Sequence, residues 1–192
     1  MELIFATHNE NKVIEIKNLI QKNIKLLSLS DIGFKDEIVE DGKSLHENSL
    51  IKAKYIKSKY GMNCFADDTG LEVQSLNNEP GVYSSRYAGY PINSNNNIKK
   101  LLENLSGFNN KNARFRTVIS LIISKNIFSF EGIINGKIIH EIRGNSGFGY
   151  DPVFIPSGYN KTLAELSLKE KNTISHRSIA INKMMNFLRK NY

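Results

Sequence analysis

The sequence predicts an α/β fold with a mixed β-sheet, and three features indicate it. Short apolar segments, the first at residues 3–6, alternate with stretches of helical periodicity, as strands and helices do around one sheet. Two Val/Ile-rich segments, 115–124 and 127–134, follow each other directly and predict a pair of adjacent strands. The length of 192 residues is that of one domain or of a domain divided into two lobes, and we expect residues 1–192 to form a single domain.

The first forty residues are predicted to hold two strands and one helix. Residues 1–7 begin with an apolar stretch suited to a buried strand. Val13, Ile16 and Ile20 recur at helical spacing, so a helix is expected over 11–23 with Asn9 as a plausible N-cap. A short strand should follow near 24–27, and the acidic stretch 36–42 is expected to be a strand end and loop.

The next segment joins a helix to a short strand with acidic residues at its end. Ser44 and Glu47 have the spacing of a capping box, which predicts a helix that runs to about Tyr60. Residues 63–66 are apolar and predict a short strand. This strand is expected to end at Asp67-Asp68-Thr69-Gly70.

The second half is predicted to contain a β-meander between two helices. A helix is expected over 94–105, and the strand pair should turn at Lys125-Asn126. A third strand over 137–142 is expected to extend that pair before a cluster of glycines breaks the pattern. A last helix should begin at Ser175, with an apolar stripe more typical of a core or a dimer seam than of a cofactor site. The stripe consists of Ile181, Met184, Met185 and Leu188.

Composition excludes several classes of protein. The 40% apolar and 23% charged residues exclude disorder as the main state. No apolar run reaches the roughly eighteen residues of a membrane span, and the N-terminus lacks the features of a signal peptide. Cys64 is the only cysteine, which excludes a disulfide framework within the chain. We therefore expect a cytoplasmic protein.

The net charge of +7 would attract polyanions such as nucleic acid, an anionic membrane or phosphorylated small molecules. An AT-rich genome also produces a lysine-rich surface, so the net charge alone does not identify the class of partner. No run of five or more basic residues is present, which weakens the nucleic-acid alternative. We expect neither a nucleic acid nor a membrane as partner.

The segment Thr7-His8-Asn9-Glu10-Asn11-Lys12 lies where a buried strand passes into a helix, a frequent ligand site in α/β proteins. The N-terminus of a helix presents unpaired N–H groups and a positive dipole end, and both suit phosphate oxygens. Lys12 would add a point charge one turn into the helix. The alternative is a plain capping turn with a solvated lysine, because no glycine-rich phosphate loop is present.

Asp67 and Asp68 follow an apolar strand and would repel each other unless a cation or a shared proton intervenes. Mg²⁺ held by one or two carboxylates and by substrate phosphates is one such arrangement, and a carboxylate beside it can take a proton from water. A surface turn is the alternative, since Asp-x-x-Gly is common in turns. Glu40 and Glu47 could complete an oxygen-rich metal site if the fold brings them near Asp68; the alternative is an acidic loop that is simply solvated surface.

Two segments near the C-terminus combine residues suited to a flat polar ligand. In Gly147-Phe148-Gly149-Tyr150-Asp151-Pro152, the glycines let the backbone approach a ligand on which the rings could stack. A glycine-rich turn that packs aromatic rings into the core is the alternative. Ser175 is a natural N-cap, so His176 and Arg177 would lie in the first turn of the last helix and oppose its dipole. Such an arrangement favours an anion or a base edge nearby.

In this order, the segments resemble the Ham1-like inosine triphosphate pyrophosphatase family. The matching stretches are Ala6-Thr7-His8-Asn9-Glu10-Asn11-Lys12, Phe65-Ala66-Asp67-Asp68-Thr69-Gly70-Leu71, Pro80-Gly81-Val82-Tyr83-Ser84-Ser85-Arg86-Tyr87, Gly147-Phe148-Gly149-Tyr150-Asp151-Pro152 and Ile174-Ser175-His176-Arg177. The resemblance implies an elongated mixed sheet flanked by helices, with two lobes around a central substrate cleft, and a homodimer. It also implies Mg²⁺-dependent hydrolysis of noncanonical purine nucleotides, dITP, ITP and XTP, to a monophosphate and pyrophosphate.

The resemblance also implies roles for individual residues. Asp68 would accept a proton from the attacking water and bind Mg²⁺ together with Glu40, while Asp67 would be a supporting carboxylate. Thr7, Asn9 and Lys12 would hold the triphosphate. The residues expected to bind substrate are Thr7, His8, Asn9, Glu10, Asn11, Lys12, Thr69, Phe148, Gly149, Tyr150, Asp151, Lys171, His176 and Arg177.

Within the predicted base pocket, donors such as Lys171, His176 or Arg177 would favour the 6-carbonyl of inosine and xanthosine over the 6-amine of adenosine. His8 replaces a small residue common in relatives, and Ser49 replaces a common alanine. Two alternatives to this function are a Maf-type pyrophosphatase that acts on dTTP, UTP or modified nucleotides, and a binding module for RNA or nucleotide without catalysis.

Overall fold

A computed structural model describes residues 1–192 as six β-strands and five α-helices, with short 3₁₀ helices between them. The strands are β1 (Glu2–Phe5), β2 (Lys25–Ser28), β3 (Cys64–Val73), β4 (Asn112–Ile123), β5 (Asn126–Ile138) and β6 (Phe154–Pro156). The α-helices are α1 (Glu10–Lys17), α2 (Leu45–Tyr60), α3 (Ser94–Leu105), α4 (Leu168–Ile174) and α5 (His176–Asn191). The 3₁₀ helices are Gln74–Leu76, Gly81–Arg86, Asp151–Val153 and Leu163–Glu165. None of the helices is both long and apolar enough to span a membrane.

The six strands form one mixed sheet in the order β2-β1-β3-β4-β5-β6. β1 pairs in parallel with both β2 and β3, with Ile4 opposite Cys64 in the second pair. β6 pairs antiparallel with the end of β5. The predicted α/β fold with a mixed sheet and flanking helices is therefore confirmed.

The chain divides into two compact units, each with its own apolar core. The first unit comprises Met1–Asp68, Thr117–Gly132 and Arg177–Tyr192, and the second comprises Thr69–Arg116 and Ile133–His176. In the first unit, buried residues of α5 pack with strand residues such as Phe5 and Phe65. The apolar stripe predicted for the last helix is part of this core; it consists of Ile181, Met184, Met185 and Leu188.

Local sequence signals account for the helix ends. Ser44 caps α2 by accepting a hydrogen bond from the Glu47 N–H at 3.2 Å, and Gly61 ends the helix at φ 68°. The predicted bounds of α2 and α3 and the predicted start of α5 are confirmed. The predicted helix over 11–23 is wrong at its C-terminal end, because α1 stops at Lys17. There the chain turns to enter β2, with the Leu19 N–H bonded to the Ile16 carbonyl.

The predicted short strand 63–66 is also wrong in length, because β3 continues through the two aspartates to Val73. Two features permit the longer strand. The buried carboxylate of Asp67 has cationic partners, so its charge is tolerated inside a sheet. Gly70 allows close packing, since a Cβ at this position would lie 2.5 Å from the Gly81 carbonyl oxygen.

The third strand predicted over 137–142 does not exist as a separate element. β5 runs without a break to Ile138, and β6 takes the neighbouring position, with Gly136 opposite Pro156. A Cβ at Gly136 would lie 2.3 Å from the Ile155 carbonyl oxygen, so β6 can pack this closely only because residue 136 is glycine. The turn between β4 and β5 lies at 124–125, one residue earlier than predicted, with Ser124 at φ 53°.

Candidate functional site

The turn between β1 and α1 has the structure of a capped helix N-terminus. Thr7 is buried, and its Oγ1 accepts a hydrogen bond from the Asn9 N–H at 3.2 Å. The Asn9 side chain then accepts one from the Lys12 N–H, also at 3.2 Å. These two contacts fix the shape of the turn and the direction of the first helical turn, where the positive end of the helix dipole lies.

Asp67 is the centre of a buried ionic network in the first unit. Its Oδ1 accepts a hydrogen bond from Lys12 Nζ at 2.9 Å, and its Oδ2 accepts one from Arg177 Nε at 3.2 Å. Arg177 also donates to Glu15 on α1, and both of these side chains are buried. Burial alone would raise the pKa of Asp67, but the charges of Lys12 and Arg177 outweigh it and hold that pKa well below its usual range. Asp67 is thus a fixed anion.

Asp68 has a different environment although it is the next residue. Its side chain is 13% exposed, and its Oδ2 accepts a hydrogen bond from Asn48 Nδ2 at 3.2 Å. Burial raises the pKa of the Asp68 carboxyl, and the charges of Lys52 and Lys12 offset that rise only in part. The pKa values of the two adjacent aspartates are therefore shifted in opposite directions, and Asp68 is the better proton acceptor of the two.

Lys52 joins Asp68 to the acidic segment 36–42. Its ammonium lies 2.7 Å from Glu40 Oε2 and 3.7 Å from Asp68 Oδ1. Burial lowers the pKa of Lys52, but the carboxylates of Asp68 and Glu40 outweigh this effect and raise it. Sequence reasoning missed both Asn48 and Lys52 as site residues. The signal that could have found them is their spacing of four, which places both on the buried face of α2.

Glu40 and Asp68 are the carboxylates of this site that could hold a metal ion. The structure has no group of three or more His, Cys, Asp or Glu side chains that could hold one. Glu40 and Asp68 do converge on a single positive charge, the Lys52 ammonium. Two carboxylates fit a Mg²⁺ ion that takes its other ligands from water and phosphate, and they do not fit a metal caged by the protein alone. Asp67 is unsuited as a ligand, because Lys12 and Arg177 occupy both of its oxygens.

Three further predicted substrate contacts, His8, Glu10 and Asn11, belong to the same segment as Thr7, Asn9 and Lys12. His8 is exposed, its Nε2 is 2.9 Å from the Asp36 carbonyl oxygen, and its ring stacks on Phe34 at 5.6 Å between centroids. Glu10 accepts a hydrogen bond from Ser30 Oγ at 3.1 Å. Asn11 is exposed on α1. The roles of His8, Glu10 and Asn11 toward substrate stay predictions.

In the second unit, the glycine-rich loop is organised around Asp151. The Asp151 Oδ2 accepts hydrogen bonds from the Phe148 N–H at 2.9 Å and from Lys171 Nζ at 2.5 Å. The Lys171 ammonium lies 5.1 Å from the centroid of the Phe148 ring. Gly147 has φ +75°, and a Cβ there would lie 2.1 Å from Asp151 Oδ2. The loop thus holds an aromatic ring, a carboxylate and an ammonium together.

The other predicted pocket residues of this unit have mixed environments. Tyr150 is buried, its hydroxyl donates to the Ser84 carbonyl at 2.9 Å, and burial raises its pKa well above the usual range. His176 is buried and stacks on Phe115 at 4.7 Å between ring centroids. Thr69 is half-buried, and Gly149 has open space on its Cβ side.

Arg177 lies in the first turn of α5 as predicted, but the anions that its guanidinium contacts are the carboxylates of Asp67 and Glu15. The cost of a positive charge in the first turn of a helix is offset by these ion pairs. The role of Arg177 toward a nucleotide base stays a prediction, and its contacts make it a support for Asp67.

Comparison with known proteins identifies the family. Residues 3–187 match the Ham1 family. The dITP/XTP pyrophosphatase of Christiangramia forsetii is 53% identical over 99% of this chain and 100% of its own length, and that of Flavobacterium psychrophilum is 49% identical over 98% and 100%. The Staphylococcus aureus Ham1 protein superposes with a TM-score of 0.90 at 35% identity over 100% of both chains, and a HAM1 protein from Coxiella burnetii with 0.91 at 36% over 99% of both. The chain belongs to the Ham1 family.

Proposed function

We propose that this protein hydrolyses noncanonical purine nucleoside triphosphates, namely dITP, ITP and XTP, to the nucleoside monophosphate and pyrophosphate. Relatives that match the whole chain carry the name dITP/XTP pyrophosphatase. The single observation that supports the chemistry is the contrast between Asp67 and Asp68: both oxygens of Asp67 accept hydrogen bonds from cations, whereas Asp68 accepts one from the Asn48 amide and lies 3.7 Å from the Lys52 ammonium. Environments that differ in this way move the pKa values of two neighbouring acids apart and so allow them different roles.

In this proposal the triphosphate binds at the start of α1. The helix N-terminus supplies N–H groups and a positive dipole end, and Thr7 and Asn9 shape the turn that presents them. Lys12 supplies a positive charge that Asp67 holds in place through a hydrogen bond of 2.9 Å. The pairing fixes the ammonium before substrate arrives, so little ordering remains for the binding step.

Asp68 is proposed as the general base that takes a proton from the attacking water. The Asn48 amide bonded to its Oδ2 fixes the orientation of the carboxylate, and Lys52 lies on the side of Oδ1. Glu40 and Asp68 would hold Mg²⁺, which when bound neutralises charge on the phosphates. Because Lys52 lies between these carboxylates in the structure, it also keeps the site from carrying two unbalanced negative charges.

The loop at 147–151 is proposed to recognise the base. The Phe148 ring offers a stacking surface, and Lys171 and Asp151 form a donor and acceptor pair beside it. A donor aimed at purine position 6 favours the carbonyl of inosine and xanthosine and leaves adenine with an unmatched amine. Thr69, Gly149, Tyr150, His176 and Arg177 remain proposed members of the pocket by resemblance.

We also propose that residues 1–192 act as one domain, that the protein is a cytoplasmic homodimer, and that it takes neither nucleic acid nor membrane as partner. The support is resemblance to the family and, against a nucleic-acid partner, the absence of a long basic run. Sedimentation over a wide concentration range tests the dimer, and a single monomeric species throughout would refute it.

The experiment that tests the function is a panel of nucleoside triphosphates assayed for pyrophosphate release, with Mg²⁺ and with chelator. We expect fast release from ITP, dITP and XTP, slow release from ATP and GTP, and none with chelator. A preference for dTTP or UTP would favour a Maf-type activity, and binding without release from any nucleotide would favour a binding module.

Replacement of Lys12 by Met should mainly weaken triphosphate binding. The change removes the ammonium but keeps much of the stem, and we expect KM to rise about tenfold, the size of one charge-assisted hydrogen bond. Lys17→Met on the exposed end of the same helix is the control and should leave KM unchanged. An unchanged KM in Lys12→Met would remove Lys12 from the site.

Activity should fall on the acidic side at a higher pH than an ordinary aspartate would give. The base form of Asp68 is the ionised form, so the rate is present above its pKa and is lost as the pH falls through it. Burial raises that pKa, so the loss should begin above the usual value of about 4. The measurement is kcat/KM against pH; a rate that stays constant down to about pH 4 would contradict the role of Asp68 as base.

A further inference from the structure

Ser84 lies at a junction of three segments within the second unit. It is buried, its Oγ accepts a hydrogen bond from the Leu71 N–H at 2.9 Å, and the same Oγ donates to the Gly81 carbonyl at 2.6 Å. Its own carbonyl accepts a hydrogen bond from the Tyr150 hydroxyl at 2.9 Å. One residue thus connects strand β3, the 3₁₀ helix Gly81–Arg86 and the loop that carries Phe148 and Asp151.

The strand side of this junction is fixed by close packing. Gly70 follows Thr69 directly, and a Cβ on Gly70 would lie 2.5 Å from the Gly81 carbonyl oxygen. Only glycine permits this approach of two backbones. Together with the Ser84–Leu71 bond, it holds the strand residue next to Thr69 against the 3₁₀ helix.

The loop side of the junction depends on Tyr150. The Asp151 carboxylate organises the loop internally, through the Phe148 N–H and Lys171. The Tyr150 hydroxyl is the polar contact that ties this loop to Ser84, and its ring packs in the core cluster of the second unit. Loss of the hydroxyl therefore leaves the loop with its own shape but without this link to the strand.

We propose that Tyr150 is a positioning residue for base recognition, acting through its hydrogen bond to the Ser84 carbonyl. The bond keeps the base-recognition loop in register with the part of β3 that begins at Thr69. The proposal rests on the proposed function, because it takes this loop as the surface that contacts the base. Its ligand is a purine nucleotide, whose base this loop is proposed to contact.

The test is Tyr150→Phe, with Tyr87→Phe as a matched control. Tyr87 is also buried in the same core cluster. Its hydroxyl donates a hydrogen bond to Glu79 Oε2 at 3.0 Å and accepts one from Asn104 Nδ2 at 2.7 Å. Each variant removes one hydroxyl and its hydrogen bonds from this cluster, so an effect of lost stability alone should appear in both. Only Tyr150→Phe should alter recognition of the base.

We expect Tyr150→Phe to raise the KM for ITP and the dissociation constant of inosine monophosphate about fivefold, the size of one net hydrogen bond, with kcat nearly unchanged. The preference for ITP over ATP should fall by a similar factor, and Tyr87→Phe should keep wild-type values. Equal effects in the two variants, or none in Tyr150→Phe, would overturn the positioning role. Failure of the proposed function is a separate result, since the wild-type protein would then release no pyrophosphate.

Discussion

Asp68→Asn is expected to lower kcat by about 10²–10⁴-fold while the protein still folds and binds nucleotide. The amide has nearly the shape of the carboxylate, so the contact with Asn48 can be kept in part, but it cannot accept a proton from water. It also removes a negative charge near Lys52, whose partner Glu40 remains at 2.7 Å. The measurements are steady-state kinetics with dITP and nucleotide affinity by calorimetry.

Asp41→Asn is the matched control for this prediction. Asp41 is an exposed carboxylate in the acidic segment next to Glu40, so the substitution makes the same charge change outside the proposed site. We expect near wild-type kcat from this variant. Wild-type turnover in Asp68→Asn would overturn the assignment of the general base, and a large loss in Asp41→Asn would show that net charge alone explains the effect.

Arg177→Met should destabilise the protein by about 3–5 kcal/mol, the cost of breaking a buried ion pair from one side. The change leaves two buried carboxylates, Asp67 and Glu15, without the guanidinium that both contact. The measurement is the free energy of unfolding in urea at neutral pH. Arg189→Met, at an exposed position in the last turn of the same helix, should cost less than about 0.5 kcal/mol.

A second substitution separates the charge effect from lost packing. In Arg177→Met, the further change Glu15→Gln removes one of the uncompensated charges and should restore part of the stability. Additive losses in the double variant would contradict the ionic network, because they would mean that Arg177 and Glu15 act independently.

The ionic network around Asp67 should make the free energy of unfolding depend on pH. The pKa of Asp67 is lowered on folding, so its contribution is present above the unfolded value of about 4 and is lost as the pH falls toward the folded value. The difference in unfolding free energy between wild type and Arg177→Met should therefore shrink below about pH 4. A constant difference across that range would contradict it.

Much of the secondary structure could be predicted because it depends on local signals. Ser44 with Glu47, and the apolar stripe that ends near Leu188, are patterns that a helix imposes on nearby positions. β3 could not be predicted at its full length, because its two aspartates are unfavourable in a strand by themselves. Asp67 is tolerated through Lys12 and Arg177, which lie 55 and 110 residues away, and Asp68 through Asn48, which lies 20 residues away.

The candidate site, like the secondary structure, could be predicted from the sequence only in part. The segments that carry Lys12, Asp67 and Asp68 could be identified from the sequence, and resemblance to the family implied their roles. The physical reason why the two aspartates differ could not be predicted. It depends on which carboxyl meets two cations and which meets an amide, and only the packed structure sets that. Asn48 and Ser84 were missed for a related reason, since each acts through partners remote in sequence.

The most direct test of the central claim is to identify the products formed from dITP in the presence of Mg²⁺. The proposed chemistry breaks the bond between the α- and β-phosphates, so ³¹P NMR should show deoxyinosine monophosphate and pyrophosphate in equal amounts, with no inorganic phosphate. Deoxyinosine diphosphate and inorganic phosphate as products, or intact dITP after prolonged incubation, would contradict it.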